Sequence, residues 1–132
     1  MATIKRFEDL VAWQKARDLD KMVFAITLKP EINRDFRLID QWRGASGSVM
    51  DNIAEGFDRE STREFIQFLG YARGSCGEVQ SQAYRALDRL YLAKDEFDKV
   101  YQYAQDTKNL IEGLRDYLKK TEHRGYRYKT PD

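Results

Sequence analysis

An all-α bundle of four helices is the fold class that this sequence predicts, on three observations. Apolar or small residues recur at alternating spacings of three and four along four consecutive segments, which places them on one helical face. The two prolines, Pro30 and Pro131, lie outside those segments. No stretch has the strict alternation of a half-buried strand. Short connections between neighbouring segments favour an antiparallel up-down-up-down arrangement packed at shallow angles. The bundle is expected to occupy residues 1–121, followed by a basic C-terminal tail, 122–132.

The first helix is expected at about 9–28, with the stripe Ala12, Ala16, Leu19, Val23 and Ile26. Pro30 ends it, because the residue before a proline is pushed out of helical geometry. The second is expected at about 34–55, with Leu38, Trp42, Ala45, Val49, Asn52 and Gly56. Gly56 is placed to serve as a C-terminal cap. The third spans about 62–92. It opens on Ser61-Thr62-Arg63-Glu64, a capping-box pattern in which serine and glutamate satisfy each other's amides. Its stripe is Phe65, Leu69, Ala72, Cys76, Val79, Ala83, Ala86 and Leu90. The fourth spans about 95–121, with Phe97, Val100, Ala104, Thr107, Ile111, Leu114 and Leu118.

Two features exceed what a simple bundle needs. Gly44, Gly47, Gly70, Gly74 and Gly77 fall inside helices, where each costs up to ~1 kcal/mol against alanine. They point to a close approach of the second and third helices, against the alternative of glycines tolerated on exposed faces. Asn52 lies on that seam, where Ser75, Glu78 or Gln82 can satisfy its amide and fix register. Asn52, Gly56, Ser75 and Glu78 are therefore expected to be structural. Apolar surface is also in surplus. Tyr103, Leu110 and Tyr117 repeat at sevenfold spacing beside the main stripe of the fourth helix, and the third carries Tyr84, Leu87 and Tyr91. Such second stripes suit contacts between subunits, Tyr84, Tyr91, Tyr103, Leu110 and Tyr117 above all. The alternative is a deeper monomer core.

The chain has 132 residues, 42% hydrophobic and 34% charged, with a formal net charge of +1. This is a globular composition, and the low net charge argues against a uniformly basic nucleic-acid binder. A single cysteine excludes an intrachain disulfide and suits a reducing cytoplasm. No apolar run reaches the ~20 residues of a membrane span, so no membrane association is expected. Enzyme chemistry finds no footing. The only histidine, His123, is near the end, and neither paired Glu-x-x-His motifs, a zinc cluster nor a phosphate-binding loop is present. No catalytic residue, metal or cofactor is expected, and Cys76 reads as structural.

Cations gather at the end instead: Arg115, Lys119, Lys120, Arg124, Arg127 and Lys129, with Tyr117, Tyr126 and Tyr128 between them. Such a mixture can hold phosphates and stack on unpaired bases. Equally, it describes a solvated tail with cations favourably placed at a helix C-terminus.

FEDLVAWQKA (Phe7 to Ala16), QWRGASGSVMDNIAEG (Gln41 to Gly56) and EFIQFLGYARGSCGE (Glu64 to Glu78) together resemble the 23S rRNA intervening-sequence proteins, the four-helix bundle family. NIAEG, Asn52 to Gly56, is the most specific run, and the resemblance extends from Phe7 to about Lys120. Trp42 departs from it, standing where an aliphatic residue is expected, and so do Gly44 and Gly47, where larger residues are common. The resemblance implies a left-handed antiparallel bundle, bacterial in origin, that assembles into a ring, typically a pentamer. It also implies a relation to accessory proteins of diversity-generating retroelements, basic pentamers that bind nucleic acid and a reverse transcriptase. The expected function is non-enzymatic: an oligomer binding RNA or another nucleic acid, or alternatively a scaffold for a protein partner.

Overall fold

Four α-helices follow a short 3-10 turn in the computed structural model, which describes the backbone of residues 4–123 and the side chains of 4–121. The turn is Phe7–Asp9, and the helices are α1 (Val11–Thr27), α2 (Phe36–Asp58), α3 (Thr62–Asp88) and α4 (Lys94–His123). No strand occurs among the described residues. Each helix packs on two others, α1 on α2 and α4, α3 on α2 and α4, which closes a four-sided bundle.

Local chemistry sets the helix ends. The Asp35 carboxylate accepts from the Leu38 amide at 3.2 Å, so α2 begins at Phe36 and not at Arg34. Ser61 caps α3 as expected, its hydroxyl accepting from the Glu64 amide at 3.3 Å. The Glu64 carboxylate lies 3.9 Å from Arg59.

Two expected ends are corrected. Gly56 does not cap α2; the helix runs on to Asp58, and Glu60, at φ 55°, makes the reversal into α3. α3 stops at Asp88, short of residue 92. Leu90 takes φ 63°, its amide donates to Leu87 O at 3.0 Å, and the Tyr91 amide donates to Ala86 O at 2.9 Å. This is a Schellman closure with leucine in the glycine position. Leu90 is consequently 83% exposed, not part of the core stripe.

The core forms two apolar layers. One joins Leu19, Val23, Leu38, Trp42, Val79, Ala83, Phe97 and Val100. The other joins Leu10, Ala16, Val49, Ile53, Phe65, Leu69, Cys76, Ile111 and Leu118. Polar groups sit at the height where the layers meet. Ser46 donates to Asp20 at 2.7 Å, Ser75 to Ser48 at 3.1 Å, and Lys108 to Gln80 at 2.7 Å. Trp42 is fully buried, and its indole N–H donates to Val79 O at 3.2 Å, tying α2 to α3. Trp42 is thus a strut of that contact.

Candidate functional site

The basic end of α4 divides by what each cation touches. Arg115 is occupied. Its guanidinium donates to Ile66 O at 3.2 Å and to Glu112 at 3.1 Å, and it lies along Gly70, where an added Cβ would come within 3.2 Å of it. Gly70 leaves room for the arginine to lie flat on α3, which makes Arg115 a clamp between α3 and α4. Lys119 and Lys120 are exposed and have no ion pair among the described residues. Arg124, Arg127 and Lys129 lie outside the described residues. Sequence reasoning passed over Lys5. Ile4 and Phe7 pack on the layer that contains Leu118, which puts the exposed Lys5 at the same end of the bundle as Lys119 and Lys120. Its signal was only a short positive run, Lys5-Arg6, before the first helix.

The second stripes are largely used within the chain itself. Tyr91 donates to Asp35 at 2.8 Å, and Arg89 reaches the same carboxylate oxygen at 2.7 Å, which closes one end of the bundle. Nearby, Lys29 donates to Glu96 at 2.7 Å and to Tyr91 O at 3.3 Å. Tyr103 donates to Asp18 at 3.2 Å, with the Lys15 ammonium 4.0 Å above its ring, and so belongs to the α1–α4 contact. Tyr117 packs against the layer around Ile111 and Leu118. Tyr84 and Leu110 face outward. Tyr84 is half exposed, with its ring 4.7 Å from that of Phe97, and Leu110 lines an apolar cleft of about 370 Å³ with Val11 and Leu114.

The seam between α2 and α3 is built differently from expectation. Asn52 does not reach α3 directly. Its amide donates to Ser48 O at 2.8 Å and to Ser48 Oγ at 2.9 Å, and Ser75 donates to that same hydroxyl. Ser48, one turn before Asn52, is the relay between the two. Close approach occurs at Gly56, where an added Cβ would lie 2.6 Å from Phe68 Cβ and 3.1 Å from Phe65. It does not occur at Gly44, Gly74 or Gly77, where a Cβ would meet nothing within 4 Å. Those three glycines lie on open faces, the alternative that sequence reasoning had ranked second.

Polar rungs cross this seam, and residue numbers fall along α3 as they rise along α2. Arg89 meets Asp35, Arg85 donates to Gln41 at 2.8 Å, and Ser75 meets Ser48. Between the last two rungs Gly44 supplies no side chain. The result is a polar notch of about 490 Å³ lined by Gln41, Gly44, Ser48, Glu78, Gln82 and Arg85. Gln82 is 8% exposed, and its carbonyl oxygen has no hydrogen-bond partner among the described residues. Glu78 is exposed rather than part of the buried seam, and it forms no ion pair among the described residues.

Cys76 is buried, and removal from water pushes its thiol up to about 12, which keeps it protonated at neutral pH. Among the described residues no group of His, Cys, Asp or Glu side chains is placed to hold a metal ion, and no helix is long and apolar enough to cross a membrane.

No curated protein matches the chain. A crystal structure of a protein with unknown function from the S23 ribosomal protein family, from Bacteroides thetaiotaomicron, is similar in fold, with a TM-score of 0.71 at 15% identity. The similarity covers 80% of this chain and 98% of that one. Residues 8–113 match the family model described as 23S rRNA-intervening sequence protein, and with that span matched the chain belongs to this family.

Proposed function

We propose that this chain is a non-catalytic, cytoplasmic helical bundle, antiparallel and left-handed, that assembles into a ring and binds RNA with the end of the bundle where α4 finishes. The observation that carries the reading is the pair Lys119 and Lys120, exposed on the last turns of α4 and without an ion pair among the described residues. They stand at the head of the segment that holds Arg124, Arg127 and Lys129, with Lys5 at the same end. In a ring these ends add, and a weak patch on one protomer becomes a strong collective one. The family's printed description, which names an intervening sequence of 23S rRNA, supports RNA as the first ligand to test. The outward-facing Tyr84 and Leu110 supply the apolar part of the ring contact.

Fluorescence anisotropy with labelled fragments of rRNA and unstructured single strands tests the binding. Saturable binding at low salt that weakens when Lys119 and Lys120 become glutamine supports the reading, and no binding at low salt ends it. Light scattering tests the assembly, because a mass of 15.6 kDa at micromolar concentration is that of a single chain.

Exposed apolar residues favour a second reading, a scaffold for a protein partner. Leu28 is 62% exposed and Phe36 71%, apart from the basic end. A pull-down from the native host that recovers only nucleic acid contradicts it.

A further inference from the structure

We infer that the apolar cleft between the start of α1 and α4 is the docking site of this chain's own C-terminal segment, with the rings of Tyr126 and Tyr128 laid into it. The cleft holds about 370 Å³, and its apolar lining is Ile4, Leu10, Val11, Leu110 and Leu114. Val11 is 62% exposed and Leu110 37%, so this surface meets water unless something covers it. Gly113 keeps the cleft open, since a Cβ there would meet nothing within 4 Å. The polar side chains of the lining, Asp9 and Asn109, are both exposed and so form its rim. Asp9 has no ion pair among the described residues.

Chemistry and reach identify the occupant. An apolar floor with a carboxylate and an amide at its rim fits tyrosine, whose ring is apolar and whose hydroxyl needs a partner once buried. A hydrocarbon chain would gain nothing from Asp9 and Asn109, and an anionic head group would be repelled by Asp9. The run Arg124-Gly125-Tyr126-Arg127-Tyr128-Lys129 follows directly on α4, which ends at His123. In an extended segment alternate residues share a side, so Tyr126 and Tyr128 face one way and Arg127 and Lys129 the other. Gly125 is the residue type that lets a chain reverse at a helix end. Leu114 lies nine residues back along α4 from His123, about 13.5 Å at 1.5 Å per residue. Tyr128 lies five residues on from His123, and five extended residues reach about 17 Å. The segment is long enough to return to the near edge of the cleft, and the tyrosine ring extends further. Arg127 and Lys129 are then held outward, with the Asp9 carboxylate as an opposite charge at the rim. Docking covers Leu110 and leaves the ring contact to Tyr84. It withholds two tyrosines from base stacking while the cations stay free for phosphates.

The test places a nitroxide on the full-length, isotope-labelled variant Lys129→Cys and reads the broadening of backbone amide signals by NMR. Cys76 is buried and its thiol stays protonated, so the reagent goes to position 129. Strong broadening is expected at Val11, Leu110 and Leu114, and none at Leu28 and Phe36, at the other end of the bundle. The broadening at the cleft should be lost when Tyr126→Ser/Tyr128→Ser is added. It should be lost as well in Gly113→Trp, where the new side chain enters open space and fills the cleft. Circular dichroism verifies that each variant folds. Equal broadening with and without the tyrosines, or none at the cleft, overturns the inference. So does broadening of labelled chains without nitroxide when they are mixed with unlabelled chains that carry it, which would assign the cleft to the tail of a neighbouring copy. Absence of RNA binding with the cleft broadening intact removes the RNA reading and leaves this inference standing.

Discussion

Gly56 and Gly44 are both helical glycines in α2, and they have opposite tasks. At Gly56 a methyl group would collide with Phe68 and Phe65, so Gly56→Ala forces the turn between α2 and α3 apart. It is expected to destabilise by about 1–3 kcal/mol, the usual effect of overpacking. At Gly44 or Gly74 the same change meets nothing. Gly44→Ala and Gly74→Ala are expected to raise stability by up to ~1 kcal/mol through helix propensity alone. Urea unfolding of the three variants checks the contrast in sign. The sequence could not separate these glycines, because periodicity assigns a face to each residue but not the distance to the next helix. Asn52 makes the same point. Its place on a polar seam was legible, whereas the route through Ser48 depends on rotamers that spacing does not encode.

At the scale of the element, the cores of all four helices were legible, since alternating three- and four-residue spacings survive any detail of packing. The ends were legible where a side chain signs them, as Ser61 does, and obscure where the backbone does the work. Leu90 is the clearest case, a leucine in left-handed geometry that reads in sequence as one more core residue. Leu90→Gly relieves that strain and removes an exposed apolar side chain. A gain of about 1 kcal/mol is expected, seen as a higher midpoint in urea.

The same end of the bundle sets an acid dependence. The Tyr91 hydroxyl, with the Leu38 amide and Arg89, holds the Asp35 carboxyl below its ordinary range against a smaller opposing effect of burial. Lys29, with the Ala93 amide, does the same for Glu96. Both carboxyls bind protons more weakly in the folded chain than in the unfolded one. Their stabilisation is therefore present above about pH 4 and is lost as pH falls through the lowered values. Asp35→Asn and Glu96→Gln are each expected to flatten the acid side of a plot of Tm against pH, while a plot as steep as that of wild type would contradict the assignment.

Across the whole molecule, the fold class and family were readable from four stripes and the NIAEG run, because both are properties of the chain's own pattern. The outward surface was read less well. Tyr91 and Tyr103 share the spacing of Tyr84, yet they turn their hydroxyls onto Asp35 and Asp18 of the same chain. Arg115 shares the charge of Lys119 and is held by Ile66 and Glu112. Spacing and charge say which residues can face outward, and only the neighbours decide which do. Tyr84→Glu is accordingly expected to lower the assembled mass in light scattering more than Tyr91→Glu does at the same concentration. A larger effect from Tyr91 would place the ring contact elsewhere.

The central claim, RNA binding through the end of α4, is tested most directly by the salt dependence of binding. The logarithm of the affinity for a single-stranded RNA, plotted against the logarithm of salt concentration, is expected to fall on a line of negative slope. Replacing Lys119 and Lys120 with glutamine should lower the magnitude of that slope by about 1.4 per protomer engaged, two phosphate contacts at about 0.7 each. A slope unchanged in the variant, or binding indifferent to salt, would contradict the claim.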